Sequence, residues 1–403
     1  MRKISLILST AAIISMLQLN PALAEETFSD KFKESISIST VLPEAAGITE
    51  SMKLSINDSI RYMKETNREY WKLENSIKEL EESRKNAGDA KDSAELALDL
   101  PLGTESRLNS PDAYLNAILS KNNYYTKQIS LNIEVLRKQI EQMDKSIEIG
   151  AKSLYYKVLA SESAVEINKS SLKQAEEQLR VIQLKFNQGT ATRIDVLDAE
   201  KAVQESKADL DSSIDSLKLV KLELLYSLGF PMDTEIVLTD MVLKYEPTSE
   251  RDLNTAIEAA KTDRIEILKA QNNLVLQQIE THSVKSYYTP NLAIYKRAVN
   301  NLEDSKLAVP NSYKEVELDV RKCYQTFVES ENSLLNMDKT LDLAEESERV
   351  TEIMFNNGLA TVLDVLKANT TLKEAQTGRY NALVEYNINK MIFENINIIS
   401  SSN

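Results

Sequence analysis

The sequence predicts a mainly α-helical protein made of duplicated long antiparallel helical hairpins packed as coiled coils, with little or no β-strand. Three observations carry that expectation. Only eight glycines and eight prolines interrupt 403 residues, and they cluster between long stretches rich in Glu, Lys, Leu and Ala. Ile133, Ile140, Ile147 and Leu154 recur every seven residues, with Leu136 and Met143 between them, and Val320, Phe327, Leu334 and Leu341 repeat the spacing later. Finally, one segment is written twice. Phe186-Asn187-Gln188-Gly189-Thr190-Ala191-Thr192-Arg193-Ile194-Asp195-Val196-Leu197-Asp198-Ala199 returns as Phe355-Asn356-Asn357-Gly358-Leu359-Ala360-Thr361-Val362-Leu363-Asp364-Val365-Leu366-Lys367-Ala368. Upstream, Leu172, Ala175, Glu176, Glu177, Arg180 and Val181 recur as Leu341, Ala344, Glu345, Glu346, Arg349 and Val350. A duplication of this kind dictates architecture: two similar units, each centred on a helix-to-helix turn.

In chain order, Met1-Arg2-Lys3, an apolar run from Ile4 to Leu19 and Pro21-Ala22-Leu23-Ala24 read as a signal peptide over residues 1–24, cleaved before Glu25. The apolar run is short of the ~20 residues a membrane span needs, which makes an N-terminal anchor the weaker reading. Residues 25–50 form a polar leader without periodicity. The first hairpin repeat is expected over 51–231, with helix from about Leu54 to Leu98, a break from Pro101 to Pro111, and helix from about Asp112 to Phe186. A rod of that length would reach roughly 110 Å. Helix resumes from about Arg193 to Leu228 and stops at Gly229-Phe230-Pro231. The linker, 232–251, holds two short apolar runs, Ile236-Val237-Leu238 and Met241-Val242-Leu243, that suit strands. The second repeat, 252–398, restarts at Leu253-Asn254 as the first does at Ile56-Asn57, breaks from about Thr289 to Pro310, and ends in helix from about Val362 to Ile398, before a tail, 399–403. The stretch from Ile56 to Gly189 is longer than the matching stretch from Leu253 to Gly358 by four heptads. Two extra heptads in each arm of one hairpin would preserve its register.

Composition excludes several classes of function. The formal charge is −14, and −16 once Arg2 and Lys3 leave with the signal. Nucleic acid is not an expected partner for so acidic a surface. Cys323 is the only cysteine and His282 the only histidine. Zinc sites, Ser-His-Asp triads and Cys-His pairs therefore lack partners; catalysis by two carboxylates stays open, but 62 acidic residues single out no pair, and neither an enzyme, a metal nor a cofactor is expected.

The residue types of the repeated motif suit a tight αα-turn. Asn-x-Gly ends the incoming helix, because Gly and Asn tolerate the left-handed conformation found beyond many helix C-termini. Thr192 and Thr361 then sit where N-caps of the outgoing helices belong, and Asp195 and Asp364 sit three residues on, at the capping-box position near the positive end of the helix dipole.

A long helix, Phe-x-x-Gly-x-x-Thr-x-x-Asp-Val-Leu-x-Ala and a second helix, duplicated behind a signal peptide, resemble the TolC-type outer-membrane efflux proteins over essentially the whole chain from about residue 50. The resemblance implies a homotrimer whose hairpins build a hollow α-barrel, working with a periplasmic adaptor and an inner-membrane transporter. It places the two turns at the periplasmic tip, with Gly189, Thr190, Gly358 and Leu359 as adaptor-docking candidates and Asp195, Asp198 and Asp364 as an acidic entrance. Gln188 and Asn357 depart from the Val often found before the motif glycine, and Lys367 replaces an acid where the first copy has Asp198. The family also inserts a pair of membrane-spanning strands at each break, about 25–30 residues. The breaks here are short and polar, so a member with reduced or absent barrel insertions is expected, with membrane association left open and an exported, cell-envelope location. The resulting expectation is a non-catalytic exit duct of an efflux or secretion system. The alternative is a coiled-coil scaffold of the envelope without a channel.

Overall fold

Two helices of 64 residues each dominate the chain, and each is answered by an antiparallel return helix. The computed structural model describes residues 52–99, 111–240, 243–248 and 252–401. The expected signal peptide, the polar leader, most of the first break, and Met241 and Val242 of the second apolar run in the linker lie outside them. The elements run β1 (Met52–Leu54), α1 (Ile56–Glu65), α2 (Arg68–Leu98), α3 (Pro111–Lys121), α4 (Tyr124–Asn187), α5 (Arg193–Leu228), β2 (Ile236–Leu238), α6 (Leu253–Asp263), α7 (Ile265–Tyr287), α8 (Ala293–Asn356) and α9 (Val362–Glu394). Hairpin 1 is α4 with α5, and hairpin 2 is α8 with α9. A helix as long as α4 or α8 extends about 96 Å.

The hairpins are fastened by three apolar clusters. In the first, Leu54, Tyr155, Val158, Leu224, Leu228, Ile236 and Leu238 bury the root of hairpin 1. There β1 pairs with β2 in parallel, Met52 opposite Ile236 and Leu54 opposite Leu238. The Tyr155 hydroxyl joins them, donating to the Leu54 carbonyl at 3.0 Å and accepting from the Asp240 N–H at 3.0 Å. The second cluster, at the root of hairpin 2, holds the heptad residues Val320, Phe327 and Leu334 with Tyr386 and Phe393; the Phe327 and Phe393 rings stack at 5.2 Å. The third lies at the tips.

Arg264, 3 % exposed at the junction of α6 and α7, locks the end of the chain. Its guanidinium grips Glu266 through two bonds of 2.9 and 3.0 Å and pairs with Asp319 at 3.0 Å. It also donates to the carbonyls of Ile396 and Ile399 at 3.0 and 2.6 Å. The planar, five-donor guanidinium is suited to tie two carboxylates and two carbonyls together in this way.

The helical expectation holds, with almost no strand among the described residues, and four boundaries differ. The expected first helix begins as strand β1 and breaks at Asn67, whose side chain caps α2 by accepting from the Tyr70 N–H at 2.9 Å. The rod expected over 112–186 divides at Asn122-Asn123, because Asn123 is left-handed (φ 60°), a conformation Asn adopts more readily than most residues. The break expected from Thr289 to Pro310 is mostly helix: α8 starts at Ala293 and passes through Pro310, which stands on an exposed face. The last helix ends at Glu394, not Ile398. The four extra heptads lie before α4, in the two arms on either side of the first break, α2 being eight residues longer than α7 and α3 having no counterpart ahead of α8. α4 and α8 are equal in length, whereas α4 starts twice as far beyond the start of α2 as α8 does beyond the start of α7. The excess is therefore a longer α2 and the segment that contains α3.

Candidate functional site: the hairpin tips

Both tips are closed by the same hydrogen bonds. At tip 1, Gly189 is left-handed (φ 77°); its N–H reaches the Phe186 carbonyl at 2.9 Å and the Thr190 N–H reaches the Lys185 carbonyl at 2.9 Å. At tip 2, Gly358 has φ 76°, its N–H reaches Phe355 at 3.1 Å, and the Leu359 N–H reaches Met354 at 2.8 Å. These are Schellman turns, which satisfy carbonyls that a helix end would otherwise leave unbonded. Asn187 and Asn356 stay helical, so glycine alone supplies the left-handed step.

The outgoing helices start with capping boxes. The Thr192 N–H donates to the Asp195 carboxylate at 2.7 Å and the Asp195 N–H donates to Thr192 Oγ1 at 3.2 Å. The corresponding distances for Thr361 and Asp364 are 2.9 and 3.2 Å. Hydrogen bonding from Thr361 holds the Asp364 carboxyl below its usual range. Farther back, Arg180 pairs with Glu177 and Arg349 with Glu346, at 3.0 and 2.7 Å. The shift that takes Gly189 to Gly358 thus carries one tip onto the other down to individual side chains.

The tips pack on each other. Ile182, Val196 and Ala199 of hairpin 1 form one buried cluster with Phe355, Val362 and Val365 of hairpin 2, flanked by Leu179, Ala191, Ala360 and Leu366. Lys185 Nζ lies 3.6 Å from the centre of the Phe355 ring, a cation–π contact that joins the two tips. Phe355 opens the repeated motif, whereas Lys185 does not stand out in the sequence, although the aligned repeats do show a cation opposite Met354.

The candidate docking residues Gly189, Thr190, Gly358 and Leu359 are all exposed, Leu359 to 73 %. Of the acidic candidates, Asp195 and Asp364 are engaged in the capping boxes. Asp198 caps nothing and makes no ion pair among the described residues. No group of three His, Cys, Asp or Glu suited to a metal occurs among the described residues, and no helix there is long and apolar enough to cross a membrane.

Bare apolar surface is distributed unevenly over the four long helices. α4 exposes Leu184 and Phe186, and α9 exposes Leu363. By contrast, α5 exposes Ile194, Leu197, Leu219, Leu222 and Tyr226. α8 exposes Leu318, Leu335, Leu343, Val350, Ile353 and Met354, with Leu307 nearer its start. Between the hairpins the main contact is α4 on α9; α5 also touches α9, and at the tips Lys185 of α4 reaches Phe355 of α8, which leaves the outer edges to α5 and α8.

No protein-family model matches the sequence, and no curated protein matches it. Solved structures are similar in fold. A membrane protein of Pseudomonas aeruginosa matches with a TM-score of 0.65 at 10 % identity, over 85 % of this chain and 90 % of that one. The outer membrane protein VceC of Vibrio cholerae matches at 0.62 and 12 %, over 85 % and 95 %. The MtrE outer membrane channel of Neisseria gonorrhoeae, in its open state, matches at 0.53 and 14 %, over 85 % and 88 %.

This is the TolC-type fold.

Each match covers 85 % of this chain and most of the other. At these identities the likeness speaks for backbone architecture. The chemistry of the tips has to be read from this chain's own residues.

Proposed function

We propose that this chain is a non-catalytic exit-duct subunit of a tripartite efflux or secretion system in the cell envelope. Three copies close into a hollow helical tube that works with a periplasmic adaptor and an inner-membrane transporter. The observation that carries the reading is the unequal exposure of the hairpins. Two hairpins side by side have one closed flank, α4 on α9, and two open ones, α5 and α8, and it is the open ones that keep a row of large apolar side chains in water. Near the tips, Ile194 lies three residues from Leu197 on α5, and Val350 lies three and four residues from Ile353 and Met354 on α8. Exposed apolar side chains grouped in this way mark an interface. Repeating the internal α4–α9 contact between α8 of one copy and α5 of the next covers both rows and closes a ring.

In this reading the exposed tip residues Gly189, Thr190, Gly358 and Leu359 receive the adaptor, with Ile194 and Leu363 as apolar neighbours. Asp198 is the entrance acid free to act on passing ions, since Asp195 and Asp364 serve the caps. Asp198→Asn should reduce cation preference in a conductance measurement without changing assembly.

Imaging of purified residues 25–403 in negative stain, without detergent, tests the whole proposal. Three-fold hollow particles are expected. Monomeric rods or heterogeneous filaments would overturn the duct and favour an envelope scaffold.

A further inference from the structure

The shift in sequence that superposes the tips also predicts what lies across the open flank. Within one chain, Lys185 sits on Phe355, and Leu179 and Ile182 share an apolar cluster with Phe355 and Val362. Moving the first member of each contact forward to its counterpart gives Met354, Glu348 and Thr351; moving the second back gives Phe186 and Arg193. The apolar seam inside the chain therefore maps onto a seam of different chemistry between chains.

We propose that two copies meet at the tips through a charged seam, in which Glu348 of one copy pairs with Arg193 of a second copy and Met354 of the first covers Phe186 of the second. This rests on the ring reading above and adds its contact chemistry.

The exposed state of each residue in the single chain is what the seam requires. Phe355 is 6 % exposed under Lys185, whereas its equivalent Phe186 is 40 % exposed, as is Met354. A thioether against an aromatic ring is a favourable replacement for the cation–π contact. Arg193 is exposed and has no ion-pair partner among the described residues, while its equivalent Val362 is buried. Glu348 is half-buried beside Glu352, again with no cation paired to it among the described residues. Partial burial, then the charge of Glu352, raise its carboxyl above the usual range, the mark of an anion whose counter-charge is missing. Arg193 of a second copy supplies that charge. The two flanks thus differ in kind: inside the chain the tips are joined by hydrocarbon and a cation–π contact, between chains by a sulfur–aromatic contact and an ion pair, and the ion pair is weakened by salt.

The test uses residues 25–403 with Arg193→Glu, Glu348→Arg and the reversed pair together, sedimented at low and high salt, with helicity checked by circular dichroism. Each single reversal sets like charges across the seam and should weaken assembly by about tenfold or more, with the double variant recovering most of the loss. A second measurement is Phe186→Cys with Met354→Cys under mild oxidation, which should give covalent oligomers on a non-reducing gel. Cys323 does not compete, since burial pushes its thiol up to about 12. Assembly that is unchanged by either single reversal, or a disulfide that forms only within one chain, would overturn the charged seam and leave the ring standing. A wild-type chain that stays monomeric, with no intermolecular disulfide, would overturn the ring itself.

Discussion

Helices α4 and α8 have the same length and the same tip turn, yet the roots of their hairpins are secured by different means. Hairpin 1 is held by a two-stranded parallel sheet and the Tyr155 hydroxyl; hairpin 2 is held by the buried Arg264. The position equivalent to Arg264 in the first repeat is Asn67, a cap that accepts one hydrogen bond from the Tyr70 N–H. Duplication has preserved the turns, where backbone geometry allows few residues, and has let the roots diverge, where several kinds of packing serve.

The largest expected effect separates the two roots. Arg264→Ala leaves Glu266 and Asp319 without their cation and two carbonyls without a donor, and should cost about 3–5 kcal/mol in chemical denaturation. Asn67→Ala, at the matching position, should cost about 1 kcal/mol, the ordinary value of a lost cap. Equal losses at the two sites would show that the Arg264 network is not the lock of hairpin 2. Cys323 reports the same event. Its thiol is pushed up to about 12, mainly by burial, so it keeps its proton and should resist thiol reagents at around pH 8 in the folded protein. In the Arg264→Ala variant, loosening of this root should make it reactive.

Glycines sharpen the comparison between root and tip. Gly189, Gly229 and Gly358 are all left-handed, but they differ in surroundings. A Cβ at Gly189 or Gly358 meets nothing within 4 Å, whereas at Gly229 it would stand 2.7 Å from Thr66 Cγ2. Alanine at either tip should therefore cost only the backbone term, about 1–2 kcal/mol, and alanine at Gly229 more than either. Thermal unfolding of the three variants measures this directly. A tip value as large as that at Gly229 would mean that the turns carry constraint beyond the left-handed step.

The tips are the most legible part of the chain because short-range rules govern them. Gly fixes the helix end, Thr and Asp fix the start, and each acts over about one helical turn. The long helices are legible for the same reason, through heptads. What the sequence conceals depends on distant partners. Asn123 reads as one more residue in a helical stretch, and only the fold shows its neighbour Asn122 meeting Ser283 at 2.9 Å. Pro310 reads as a break, yet on an exposed helix face it is accommodated. Arg264 carries no local signal, because its carbonyl partners, Ile396 and Ile399, lie at the far end of the chain. The pairing of the tips is hidden too, since no motif says which face of one hairpin meets the other.

The smallest effect is also the most informative about that pairing. Lys185→Met turns the internal contact into the one inferred between copies, a methionine over a phenylalanine ring. The cation–π term is worth roughly 0.5–1 kcal/mol at an exposed site, and a sulfur–aromatic contact is of similar size, so chain stability should change by less than about 1 kcal/mol. Met354→Lys makes the reverse exchange, placing an ammonium over Phe186 of a second copy. If the two flanks are equivalent in geometry, both variants fold and assemble, because each replaces one favourable ring contact with another. A loss of assembly in Met354→Lys without a loss of stability in Lys185→Met would mean that the outer flank is the tighter of the two and rejects the longer charged side chain. The duplication would then relate the tips in sequence and backbone but not in the spacing of their neighbours.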